Sequence, residues 1–181
     1  MSTGDVAKGD ALLVLGRWLH IGAGVAWIGL LYYFNFVQVP ALAEAAADKG
    51  GPGGAGVTKY VAPRALLWFR WAALVTWLSG ALYLVIAPHL GFLNAFTLGL
   101  ISGGSWQHAT IGLGAWLGTI MLFNVWMIIW PNQQKVLGLK PATDAEKAVA
   151  RRRAFLASRT NTMLSLPMLL CMAASSHGLP F

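Results

Sequence analysis

The sequence predicts an all-α fold, an integral membrane four-helix bundle in a bacterial inner (cytoplasmic) membrane with both termini periplasmic. Three observations predict it. Of 181 residues, 57% are hydrophobic and only 10% are charged, against about a quarter charged in soluble domains. The mean hydropathy is +0.61. The charges are also segregated, leaving four windows that approach or exceed the ~20 apolar residues needed to cross a hydrocarbon core of roughly 30 Å.

The first span is expected at 12–39. It is too long for the apolar region of a signal peptide, and "YYFNFVQVPALAEAAA" makes a poor cleavage site at the distance required. A basic loop with the Gly-rich linker "KGGPGGAGV" follows. Span 2 is expected at 65–87. The uncharged Gly91–Ser105 stretch is too short to cross and is placed at the outer interface. Span 3 is expected at 106–130. "PATDAEKAVARRRAF" then reads as a helical lead-in to span 4 (154–176), with Thr143 or Asp144 as N-cap. Pro40, Pro63, Pro88 and Pro131 are expected to punctuate helix ends. The whole chain, 1–181, reads as a single membrane domain with no repeat of fixed period, although its halves share a helix–basic loop–helix plan. One cysteine, Cys171, rules out an internal disulfide framework or a Cys-rich metal site.

Orientation follows from the basic residues. Loop 1–2 holds Lys49, Lys59 and Arg64. Loop 3–4 holds Lys135, Lys140, Lys147 and Arg151–Arg153, with Arg159 just inside the next helix. The other side has only Lys8 and Arg17. The positive-inside rule puts both basic loops in the cytoplasm. The net charge of +7 is thereby accounted for by topology, and nucleic-acid binding is set aside.

With that orientation all four histidines fall in the outer half. His20 lies in span 1, His89 ends span 2, His108 opens span 3 and His177 ends span 4. Counting up from Pro40 and Pro131 puts His20 roughly 30 Å and His108 roughly 35 Å from the inner side. Two imidazoles from different helices at similar depth can hold haem b, provided small residues leave room for the ring. Gly24 and Gly112 each lie four residues after a histidine, on its own face. Trp27 is placed to wall the pocket, and Arg17 to pair with a propionate. With haem bound, each free imidazole N–H is expected on a backbone carbonyl or a polar neighbour such as Gln107 or Thr110. Three other readings stay open. The pair can be a copper or zinc site, or can serve plain structural hydrogen bonding. The glycines can serve close helix packing alone. His89 and His177 read as headgroup-level residues. Arg70 is expected either to snorkel or to meet Asn35 and Asn124. All six carboxylates lie outside the spans, which favours electron relay over acid–base chemistry on a bound substrate.

"WLHIGAGVAWIGLLYYFNFVQVP" and "FNVWMIIWPNQQKVLG" resemble the membrane-embedded N-terminal domain of the bacterial urate oxidase family that ends in a cytochrome c. The resemblance implies a membrane oxidase or electron carrier that delivers electrons to a c-type cytochrome or a larger membrane redox complex. The chain has no C-x-x-C-H, so no covalent haem of its own is expected. It is also shorter than the membrane domain of that family. A looser similarity of plan links it to the four-helix, haem-binding protoporphyrinogen oxidases. Three functions compete: a cytochrome b-type relay, an oxidase acting on urate or a porphyrinogen, and a haem-free accessory subunit. Self-association as a homo-oligomer is compatible with each.

Overall fold

In a computed structural model, the backbone is described for residues 3–87, 89–101, 103 and 105–177, and side chains for 11–175 of these. Pro88, the tail after His177 and the side chains of Lys8 and His177 lie outside the described residues. The architecture is all-helical, with no strand among the described residues. The described residues form, in order, α1 (Thr3–Tyr32), α2 (Val39–Ala47), α3 (Ala62–Ile86), α4 (Phe92–Phe96), α5 (Trp106–Phe123), α6 (Trp130–Val136) and α7 (Asp144–His177).

Three of the predicted helix ends are not ends. Pro40, Pro63 and Pro131 each sit in the first turn of the following helix, joined to a π-helical stretch just before it: Tyr33–Gln38, Val57–Val61 and Asn124–Ile129. Proline lacks the N–H of its turn, and its ring crowds the carbonyl four residues back. Here the turn widens instead. The N–H groups of Val39, Ala62 and Trp130 reach five residues back, to Phe34, Val57 and Val125. The helix therefore bulges and continues. Pro167 lies inside α7, and its position there is not signalled by the sequence pattern.

Joined through these turns, three helices among the described residues are long and apolar enough to cross a membrane: Ala11–Ala47, Val57–Ile86 and Trp106–Val136. They mark a membrane protein. α7 is long enough, at 34 residues, but less apolar, because Arg151–Arg153 and several hydroxyl and amide residues lie within it. Its start is capped as expected. Thr143 Oγ1 accepts from the Glu146 N–H, and the Glu146 carboxylate accepts from the Thr143 N–H at 2.8 Å. The Thr143 N–H, and after it the Thr143 hydroxyl, donate to the Glu146 carboxylate and hold it below the usual carboxylate range.

α1 packs along α3 and α5 along α7. In lipid no hydrophobic force drives helices together, so close contact must supply the attraction. Trp27, Leu31, Phe69, Met121 and Val125 form the centre, all nearly fully buried. Phe34 meets Phe69 edge-on at 5.5 Å. At Gly114 a side chain would press on Cys171 and Met172 of α7, at 3.1 and 3.2 Å. A second cluster, Leu84, Ala87, Leu90 and Ala95, closes the end of the bundle opposite the basic loops with Leu13 and Ile111; that end is labelled outer and the basic end inner, as names for the two ends of the molecule.

The uncharged outer stretch does not simply lie on the surface. Its α4 folds back along α5. Phe96 packs edge-on against Trp116, and Trp116 Nε1–H donates to the Phe96 carbonyl at 3.0 Å. Trp116 is ten residues into α5, roughly 15 Å by helical rise.

Candidate functional site

Polar side chains inside the bundle fall into two groups. The outer group contains the two histidines. His20 lies where α1 crosses α3. A Cβ on Gly80 would stand 2.8 Å from its Cε1 and 2.9 Å from its Nδ1, so only glycine lets the ring rest on the α3 backbone. There Nδ1 is 2.8 Å from the Thr76 carbonyl. A carbonyl can only accept, so in the neutral imidazole the proton is on Nδ1. Nε2 keeps its lone pair, and no described residue donates to it. Thr76 and Gly80 were not singled out as partners of His20 from sequence; a Gly four residues after a Thr in an apolar helix is the signal that was available.

His108 is held differently. Ser105 caps α5, accepting from the His108 N–H, and its hydroxyl is 2.6 Å from His108 Nδ1. Nε2 is 3.2 Å from the His89 carbonyl. By the same reasoning Nε2 carries the proton, and the Ser105 hydroxyl donates to Nδ1. The two histidines thus hold opposite tautomers. His20 offers a lone pair, whereas both nitrogens of His108 are engaged. Gln107 and Thr110 do not hold His108. Gln107 donates to the Ser175 carbonyl of α7, and Thr110 donates within its own helix.

The other predicted site residues fall as follows. Gly24 faces the Thr76 methyl, which a Cβ would meet at an ordinary 3.7 Å. At Gly112 a Cβ would collide with the Ala95 carbonyl oxygen, so docking of the α4 backbone accounts for that glycine without a ligand. Trp27 is in the core, and its Nε1–H is buried without a hydrogen-bond partner. Arg17 donates to the Tyr83 hydroxyl, with its guanidinium carbon 5.2 Å from the ring centroid. His20 is joined to α3, and His108 to the turn that follows α3. Among the described residues no group of three or more His, Cys, Asp or Glu is placed to hold a metal ion.

The inner group is a seam along α7 that the sequence reading missed. Ser158, Asn161 and Ser165 lie at helical spacing, and that periodicity was its signal. Ser158 Oγ accepts from Asn35, and Ser165 Oγ is 2.9 Å from the Tyr32 hydroxyl. Asn161, fully buried, accepts from the Asn124 amide at 2.8 Å and donates to the Met121 carbonyl at 2.9 Å. Arg70 joins neither asparagine. It stacks on Trp130, with its guanidinium carbon 3.7 Å from the ring centroid.

No curated protein and no solved structure matches the chain. A family model described as urate oxidase N-terminal matches it over residues 10–102 and over 89–181. With both stretches covered, the chain belongs to the urate oxidase N-terminal family.

Proposed function

We propose that this chain is a haem-carrying membrane module of a urate-oxidase-type redox system, a cytochrome b-type relay in which His20 holds the iron of haem b. One observation carries the reading. The Nδ1–H of His20 is anchored on a backbone carbonyl and its Nε2 lone pair is open, the state that a ligating imidazole needs. When bound, the haem supplies one-electron redox chemistry. The chain's own part is orientation. Thr76 fixes the ring, Gly80 gives it room, and Arg17 keeps further N–H donors for a propionate beyond the one given to Tyr83. His20 fits the group as it stands. His108, proposed as the second ligand, fits only if Nε2 leaves the His89 carbonyl and the proton moves to Nδ1. With the carboxylates confined to loops and to the end regions of the helices, away from His20, relay to a c-type cytochrome or a larger membrane complex is favoured over oxidation of bound urate or a porphyrinogen.

A haem-free packing subunit is the second reading. The saturation of His108 and the filled space over Gly112 favour it. A reduced-minus-oxidised spectrum with a pyridine haemochrome assay decides between them. The relay reading expects about one haem b per chain, lost in His20→Ala and changed from low-spin to high-spin in His108→Ala. Purified protein with no haem, or His20→Ala with the wild-type spectrum, overturns it.

The topology is proposed to have four spans with both termini periplasmic. Ten of the thirteen Lys and Arg lie at one end. α7 serves as the fourth span because Asn161 and Ser165 turn inward, while Met163, Leu166 and Leu170 face outward. In a Cys171→Ser background, a membrane-impermeant thiol reagent should label His89→Cys in intact cells but not Lys140→Cys. The reverse pattern inverts the protein.

A further inference from the structure

We propose that the groove between α1 and α3 at the basic end of the bundle is a binding site for one anionic phospholipid of that leaflet. The groove has a volume of about 470 Å³. Ala26 and Leu30, one turn apart on α1, form one wall. Ala65 and Trp68 of α3 form the other, and Tyr60 and Arg64 stand at its mouth. No acidic residue lines it. From Tyr60 to Trp68 the groove runs roughly 12 Å toward the bilayer centre. Small residues at 26 and 65 open the space, and the indole of Trp68 closes it on the lipid side, leaving 69% of that residue exposed.

The mouth decides which lipid. Arg64 commits one Nη1–H to the Tyr60 carbonyl at 2.7 Å. That bond fixes the guanidinium above the groove and leaves its other donors for phosphate oxygens. Lys59 is adjacent, its ammonium 5.3 Å from the Tyr60 ring centroid. Two cations beside an apolar channel match a phosphate joined to an acyl chain. Basic pockets between helices on the cytoplasmic side are suited to anionic headgroups. A zwitterionic lipid would fill the same channel but bring its own cation to Lys59 and Arg64. The inference needs the basic loops and the membrane, and it does not depend on the haem.

Native mass spectrometry of protein released from nanodiscs of equal phosphatidylglycerol and phosphatidylcholine tests it. The wild type should retain one phosphatidylglycerol at least five-fold over phosphatidylcholine. Arg64→Gln, at an exposed position, should bring the ratio near one, whereas Arg151→Gln should leave it unchanged. Ala65→Leu, which fills the channel, should lower retention of both lipids. Millimolar inorganic phosphate should not displace the bound lipid. The proposal is overturned if the wild type retains both lipids equally, or if Arg64→Gln keeps the wild-type ratio. Displacement by phosphate alone also overturns it, by reducing the site to a headgroup contact.

Discussion

The inner and outer halves of the bundle use their polar side chains in different ways. Along the inner seam, Asn35, Asn124 and Asn161 all close hydrogen bonds, and they do so beside widened turns. Asn35 donates to the Leu31 carbonyl as well as to Ser158, and Asn161 donates to the Met121 carbonyl. In a bilayer each backbone group must find a partner inside the protein. Pro40 and Pro131 remove donors and the turns before them widen, while the asparagines donate to the Leu31 and Met121 carbonyls, two and three residues before those widened turns. At the outer end the polarity is less complete. His20 keeps an open nitrogen, and His108 is closed only by a serine and a loop carbonyl. The seam closes its hydrogen bonds between side chains and backbone of packed helices, whereas at the outer end Nε2 of His20 has no donor among the described residues.

The largest effect should come from the seam. Asn161→Leu keeps the approximate shape but strands the Asn124 amide and removes a partner of the Met121 carbonyl. A buried group left unpaired loses about 1–3 kcal/mol, although single interhelical bonds in membranes average only about 0.6. We expect a loss of about 1–3 kcal/mol in reversible unfolding from mixed micelles. Ser105→Ala, at the looser outer end, should lose about 1 kcal/mol or less, as an N-cap change does. Equal losses would erase the distinction between the halves.

A smaller, local effect separates the two glycines. Gly112→Ala should push α4 off α5, seen as faster amide exchange at Ala95 to Gly99, with the inner seam unaffected. Gly24→Ala should change stability by no more than about 0.5 kcal/mol, because its Cβ meets only the Thr76 methyl at contact distance. If Gly24→Ala proved the more damaging, the tight outer contact would have been placed on the wrong helix. Loss of haem in Gly112→Leu would not by itself locate the haem, since the same change must displace the Ala95 carbonyl.

The sequence by itself determined that the chain is helical, apolar and divided by two basic loops, because crossing lipid requires runs of a known length and composition. It also contained the family phrases, the capping box at Thr143 and the histidines that the outer end uses. It could not determine that Pro40, Pro63 and Pro131 are passed through. A proline shows a missing donor, but whether the helix stops or widens depends on which neighbour can satisfy the freed groups. The partners of the glycines were likewise hidden. Gly80 makes room for an imidazole and Gly112 for a carbonyl, and in each case the partner, His20 or Ala95, comes from another helix. The opposite tautomers of His20 and His108 were decided in the same way. Each follows from a backbone carbonyl, Thr76 or His89, that only the tertiary structure brings within 3.2 Å of a ring nitrogen.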